Sequence, residues 1–256
     1  MIITSDKNEL IKKIKKLNNK KDRYESGLFF VEGRNNVNEV LKSKFSIRYI
    51  IISENYNNNI DFDLNRIIKV PDNLFKKISD TVTPQNIMAI VRIPRYELNT
   101  IIDKNNVYII ADEVQNPGNL GTIIRTADAF KVRAVFTINN SVDIYNPKVI
   151  RSAMGSIFHI PVVNIDDIDE LMNRLKKSCI KIYSTDLKAD QYIFDFKISN
   201  NVAFIFGNEA KGVNPMLNGY IDGKFKIPMT GNAESLNVSI TASICLYESQ
   251  RQRLIK

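Results

Sequence analysis

From about residue 107 onward the chain repeats one pattern: a short, almost wholly apolar run rich in β-branched residues, then a polar loop, then a helix-like stretch. The apolar runs fall at 107–111, 134–138, 158–163, 180–184, 202–206 and 224–227. A strand with one wet face alternates apolar and polar residues, whereas an unbroken apolar run implies burial on both faces. Six strand-like runs, those at 107–111, 134–138 and 202–206 almost unbroken, interleaved with helices at 120–130, 147–154, 168–177, near Pro215 and from about Leu236 onward predict an α/β fold with a parallel sheet covered on both sides. Upstream the pieces are smaller: strands at 28–31, 47–53, 67–70 and 87–93, and helices at 7–23, 35–43 and 73–79. Pro94 ends the last of these strands, because proline donates nothing to a ladder. The polar stretch after it marks a boundary between a small α/β domain, 1–98, and a larger one, 103–256. The Asn-rich stretch at 55–59 reads as a surface loop.

The 256 residues are 44% hydrophobic and 25% charged, enough apolar surface to close a real core. Cys179 and Cys245 are the only cysteines and His159 the only histidine, so a disulfide framework, a zinc cluster and a histidine-based triad are all excluded. His159 lies in an apolar, strand-like run and reads as a structural residue. No apolar run approaches the roughly 18 residues of a membrane span, and no secretory segment follows the first Met. The expected location is therefore the cytoplasm, with no membrane partner and no metal.

The formal net charge is +8 and the pI about 9.3, which favours a polyanionic partner. Much of the excess sits in one run, where Lys7, Lys12, Lys13, Lys15, Lys16, Lys20, Lys21 and Arg23 face only Glu9 and Asp22. Leu10, Ile11, Ile14 and Leu17 recur at helical spacing, so the run predicts one amphipathic helix with a basic outer face. Taken alone, such a face is first of all a solvated one, and it also suits nucleic acid.

Three loops at strand ends carry the candidate chemistry, since open α/β sheets bind ligands beyond the carboxyl ends of their strands. After the 107 strand, Asn116-Pro117-Gly118-Asn119-Leu120-Gly121 opens a helix that carries Arg125; its free N–H groups would favour an anion, although an Asn-Pro-Gly turn also simply caps a helix. After the 202 strand comes Gly207-Asn208-Glu209-Ala210-Lys211-Gly212. It lacks both the Gly-x-Gly-x-x-Gly spacing of a dinucleotide site and the Lys-Ser/Thr ending of a P-loop, leaving a site for an amine or a ribose, or a plain turn. The third loop runs from Ile227-Pro228-Met229 through Gly231 to Glu234, Ser235, Leu236, Asn237 and Ser239, with Ser235 or Asn237 placed to cap the terminal helix.

Taken in order, Asn116-Pro-Gly-Asn119-x-Gly121-x-x-x-Arg125, Gly207-x-Glu209-x-x-Gly212 and Ile227-Pro228-Met229-x-Gly231-x-x-x-Ser235-Leu236-Asn237-Val238-Ser239 resemble the three signature motifs of the SpoU, or TrmH, branch of the SPOUT RNA methyltransferases. The resemblance covers roughly residues 103–256. The stretch Phe29-Phe30-Val31-Glu32-Gly33-Arg34 is similar to the small substrate-binding domain that precedes the catalytic domain in rRNA-directed members.

The resemblance implies transfer of a methyl group from S-adenosylmethionine to a ribose 2′-oxygen of RNA, with 23S rRNA as the expected substrate. A tRNA substrate, or a ribosome-assembly factor that has lost transfer, are the alternatives. It implies a C-terminal chain tucked into a deep trefoil knot and a homodimer formed through the second domain, with Ile240, Ile244, Leu246 and Tyr247 as interface candidates. It places the cofactor against Gly207, Ile227, Met229 and Leu236, and gives catalytic or orienting roles to Arg125, Asn116, Glu209, Ser235 and Asn237. Lys12, Lys13, Lys16, Lys20 and Arg34 become the expected RNA contacts.

Overall fold

The computed structural model describes residues 1–198 and 200–255, and its first helix starts at a cap: the Asn8 side chain accepts from Leu10 N at 2.9 Å. Helix α1 (Glu9–Lys16) buries Ile11 and Ile14, and Lys13, Lys15 and Lys16 sit in its last turn, where cations suit the helix dipole. The basic run is not one helix as its periodicity predicts. It breaks at Leu17, Asn18 and Asn19, and α2 (Lys20–Ser26) follows. The cause is Arg23, which is 2% exposed and donates from Nη1 to Leu17 O at 2.6 Å and Asn18 O at 2.9 Å, occupying carbonyls at the end of α1. Arg23 thus belongs to the interior.

Four strands, β1 (Leu28–Glu32), β2 (Ile47–Ser53), β3 (Ile67–Val70) and β4 (Ile87–Arg92), form a sheet in the order β1-β4-β2-β3, with β4 antiparallel to both neighbours and β2 parallel to β3. Helices α3 (Arg34–Lys42) and α4 (Asp72–Ile78) complete the connections. On one face Phe30, Ile51, Met88 and Ile90 pack with Ile11, Ile14 and Phe75, each fully buried apolar side chain contributing about 1.5–3 kcal/mol.

The described chain divides into two compact units, but not at a single boundary: Met1–Arg95 groups with Tyr145–Phe158, and Tyr96–Ile144 groups with His159–Lys256. The contiguous 103–256 unit expected from sequence therefore gives up a segment to the first unit. Aromatic packing explains the excursion. Tyr145 lies 4.6 Å from Phe29 and 6.4 Å from Tyr24, and Phe158 meets Phe45 edge-on at 5.2 Å. The segment carries α7 (Pro147–Ala153), and Arg151 pairs with Asp80 at 2.7 Å.

The second unit is built on six strands: β5 (Val107–Asp112), β6 (Ala134–Ile138), β7 (Val162–Asn164), β8 (Lys181–Thr185), β9 (Val202–Phe206) and β10 (Gly223–Phe225). Their order is β10-β8-β9-β5-β6-β7 and every pairing is parallel. Strands β5, β6 and β9 are buried throughout, as their unbroken apolar runs require. The helices are α5 (Leu98–Ile101), α6 (Pro117–Ala129), α8 (Ile168–Lys177) and α9 (Val238–Leu254). Small residues let α6 and α9 approach closely, with Thr126 Oγ1 and Ser243 Oγ 3.2 Å apart.

Two strand boundaries differ from expectation. The run at 158–163 is strand only from Val162, after Pro161, because Met154 (φ 51°) and Gly155 (φ 95°) turn the chain into a short 3-10 turn, Ser156–Phe158. His159 is consequently a surface residue rather than a strand residue, with Nδ1 2.7 Å from Asp128 Oδ2. Strand β10 ends at Phe225, before Ile227. No helix among the described residues is long and apolar enough to cross a membrane.

Candidate active site

Because the six strands run in parallel, the loops leaving β5, β8, β9 and β10 emerge at one end of the sheet. The loops after β8, β9 and β10, with the start of α9, enclose a cleft of about 410 Å³, within the usual range for a small-molecule site. Gly207, Ile227, Met229 and Leu236, the expected cofactor contacts, all line it, together with Glu209 and Ser235.

The loop after β9 is a tight hairpin. Asn208 N donates to Gly212 O at 3.0 Å and Gly212 N to Asn208 O at 2.9 Å, while Asn208 Oδ1 accepts from Ala210 N at 3.0 Å and Lys211 N at 3.2 Å. Gly207 has to be glycine: a Cβ there would lie 2.2 Å from the Gly212 carbonyl carbon and 2.3 Å from Val213 N. From beneath, the fully buried carboxylate of Asp112 at the end of β5 accepts from Asn214 N at 2.7 Å and from Asn139 Nδ2. Burial pushes that carboxyl above the usual aspartate range, against the pull of these two donors.

A chain of side-chain hydrogen bonds joins the three loops. Ser239 donates from Oγ to Asn237 Oδ1 at 2.6 Å, Asn237 Nδ2 donates to Asn119 Oδ1 at 3.0 Å, and Asn119 Nδ2 donates to Glu209 Oε1 at 2.5 Å. Asn237 also caps α9 through Ser239 N at 2.9 Å, so one residue both starts the terminal helix and ties it to the first loop. Asn116 plays a different part. Its Oδ1 accepts from Gly118 N at 2.8 Å and Asn119 N at 3.3 Å, which commits the side-chain oxygen to capping α6; like Asn119 and Asn237, it does not itself line the cleft. Asn119 is given no role by the sequence alone, although its motif contains it; its position between two other loops appears only once the chain is folded.

Arg125 lies about two turns into α6, exposed and paired with no described residue. It does not line the cleft of its own chain. The loop after β8 was also missed from sequence, although it obeys the same strand-end rule: Ser184, Thr185, Asp186, Leu187 and Lys188 all line the cleft. Ser184 Oγ is buried and finds no partner among the described residues. No group of three His, Cys, Asp or Glu among the described residues could hold a metal ion.

The basic residues of the first unit separate into different settings. Lys12 pairs with Glu9 at 2.8 Å and Lys20 lies 5.9 Å from the Tyr24 ring centre. Arg34 is exposed at the start of α3, its N–H bonded to Gln85 Oε1 at 2.7 Å. Lys13 and Lys16 flank a groove beside α1.

Residues 106–247 match the SpoU rRNA methylase family, and residues 8–89 match the MRM3-like substrate binding domain. The chain is 37% identical over 248 residues to the 23S rRNA (guanosine(2553)-2′-O)-methyltransferase RlmP of Bacillus subtilis, covering 96% of this chain and 97% of that protein. It is 32% identical to the 23S rRNA (uridine(2479)-2′-O)-methyltransferase of Streptomyces viridochromogenes, over 74% of this chain and 68% of the relative. The solved structure of the SpoU methyltransferase AviRb from Streptomyces viridochromogenes in complex with AdoMet superposes with a TM-score of 0.88 at 26% identity, covering 97% of this chain and 99% of that one. With motifs, cleft and relatives in agreement, the chain belongs to the SpoU/TrmH family of RNA 2′-O-ribose methyltransferases.

Proposed function

We propose that this enzyme methylates a ribose 2′-oxygen of 23S rRNA with S-adenosylmethionine as donor. The observation that carries this reading is the chain from Ser239 through Asn237 and Asn119 to Glu209, which ties the three motif loops to one another beside the cleft that Glu209 lines.

The cleft fits the donor. Leu187, Ile227, Met229 and Leu236 offer apolar surface for a purine, Gly207 removes side-chain bulk where backbone must approach, and Ser184 Oγ is a buried hydroxyl lacking a partner. S-adenosylmethionine supplies a methyl group already activated on a sulfonium, so the protein's task is alignment and removal of the 2′-hydroxyl proton. Arg125 grips an RNA phosphate and stabilises negative charge on the 2′-oxygen. Glu209, oriented by Asn119, or a phosphate oxygen accepts the proton. Asn237 ties the third loop to the first through Asn119, and Ser235, in the cleft lining, orients the ribose.

The same reading includes the trefoil knot, a homodimer and a cytoplasmic site of action on rRNA. Ile240, Tyr247, Leu254 and Ile255 leave α9 with exposed apolar surface suited to a second copy, and Ile244 borders it; Leu246, by contrast, is 1% exposed and belongs to the core. The first unit serves as the RNA-docking domain, with Lys12, Lys13, Lys16, Lys20 and Arg34 as its contacts.

The test is transfer of labelled methyl from S-adenosylmethionine to unmodified rRNA and tRNA pools, with the product mapped by resistance of 2′-O-methylated linkages to alkali. One resistant site in 23S rRNA is expected. Cofactor binding with no transfer to any pool would replace the enzyme with a binding factor.

A further inference from the structure

A cavity of about 570 Å³ in the first unit lies beside α1 on the sheet face formed by β1, β4 and β2. Its apolar surface comes from Leu10, Ile14, Leu17, Leu28, Tyr49 and Ile90. Around it stand Lys13, Lys16, Arg48 and Arg92, all exposed and none within 4 Å of a carboxylate oxygen among the described residues. The two acids that also line it are engaged: Asp22 accepts from Asn19 Nδ2 at 3.2 Å, and Glu25 lies 3.7 Å from Lys21. Four cations against two anions leave the lining at +2.

The strand is deformed to make this lining. Arg48 and Tyr49 are consecutive, and a regular strand would send them to opposite faces. Here the register slips between Ile47, opposite Val91, and Tyr49, opposite Ile90, so that Arg48 is an extra residue in β2 and both side chains reach the groove. The Arg48 guanidinium carbon sits 5.5 Å from the centre of the Tyr49 ring.

Resting on the reading of an RNA substrate, we propose that this groove docks a single-stranded segment of the RNA, with Lys13, Lys16, Arg48 and Arg92 holding phosphates and the Tyr49–Arg48 pair stacking an exposed base. The apolar surface selects the strandedness. An A-form duplex presents phosphates and 2′-hydroxyls and keeps its base faces stacked inside, whereas a single strand offers both charge and base faces. Arg48 and Arg92 lie far from the basic run in sequence, and only the sheet register brings them beside it.

The full-length protein is titrated into fluorescein-labelled octauridylate, and in parallel into a duplex RNA of equal length, across a salt series read by anisotropy. The double substitution Arg48→Ala with Arg92→Ala should weaken octauridylate binding. It should also flatten the log–log salt dependence by about 1.4, two contacts at roughly 0.7 each. Arg48→Lys with Arg92→Lys should restore most of that slope, and Lys42→Ala, on α3 outside the groove, should leave it unchanged. Tyr49→Leu should lower affinity with the salt slope intact, by about 5- to 150-fold for one lost stacked base. On rRNA the double alanine variant should raise KM with kcat and cofactor affinity unaltered. Wild-type octauridylate binding and wild-type KM in a variant that melts normally would overturn the proposal, as would equal losses for single strand and duplex. Absence of methyl transfer by the unsubstituted protein, with octauridylate binding intact, would instead count against the methyltransferase reading alone.

Discussion

Asn119 donates to Glu209 at 2.5 Å across 90 positions of sequence, and its other amide atom accepts from Asn237 at 3.0 Å. One side chain therefore sets both the direction of a candidate proton acceptor and the seating of the terminal helix.

Asn119→Ala frees both neighbours. The expected loss is about 1–3 kcal/mol of transition-state stabilisation, a fall in kcat of about 5- to 150-fold, with a smaller change in cofactor affinity. Asn119→Asp sets a second carboxylate against Glu209 and should move the acid limb of the pH–rate profile to higher pH, because like charges disfavour ionisation. Initial rates of methyl transfer between pH 5 and pH 9 decide both points; an unchanged profile for the Asp variant would remove Glu209 from the proton path.

Arg125→Ala should lower kcat by about 10²- to 10³-fold, the range for removing one preorganised donor. The side chain is exposed and paired with no described residue, so thermal melting and calorimetric binding of S-adenosylmethionine should match the unsubstituted protein. Near wild-type turnover would displace it from the mechanism.

Gly207→Ala tests packing rather than chemistry. The added methyl would overlap the backbone of Gly212 and Val213, which cannot yield as a side chain can. Overpacking of this kind costs about 1–3 kcal/mol, so the melting temperature should drop and cofactor binding should fail in calorimetry.

Glu248 supplies a pH test on the terminal helix. Its carboxylate accepts from Arg251 Nε at 2.7 Å and Nη2 at 2.8 Å, and from Gln252 Nε2 at 2.7 Å; the arginine foremost holds its pKa below the ordinary value of 4.5. A lowered folded-state pKa gives stability that is complete above the unfolded value and is lost as pH falls through the folded one. Glu248→Gln should therefore lower the melting temperature at pH 7 and converge with the unsubstituted protein below the folded pKa. Parallel melting curves at every pH would refute the assignment.

The parallel sheet was legible because burial on both faces leaves no room for polar residues, and the runs over β5, β6 and β9 contain almost none. The motif loops were legible for a related reason: Gly, Asn and Pro at strand ends are local signals. Arg23 was not, since nothing local distinguishes an arginine that turns inward to cap carbonyls from the six exposed lysines of the same run. Nor was the assignment of roles between Asn116 and Asn119. Both precede or begin the same helix, and only long-range geometry separates the one that caps from the one that bridges. Arg48 and Arg92 escaped notice because a register slip, which has no sequence period, brings them together.

The segment Tyr145–Phe158 has a temporal meaning as well as a spatial one. Chains are synthesised from the amino end, and domains ordinarily fold as they emerge. Here the rings of Phe29 and Phe45 wait for Tyr145 and Phe158, which are made only after β5, α6 and β6 of the other unit. The small unit, although first in sequence, cannot finish before the large one has begun. A truncation at residue 95 should yield an exposed aromatic surface that binds hydrophobic dyes, whereas a chain reaching residue 158 can cover it.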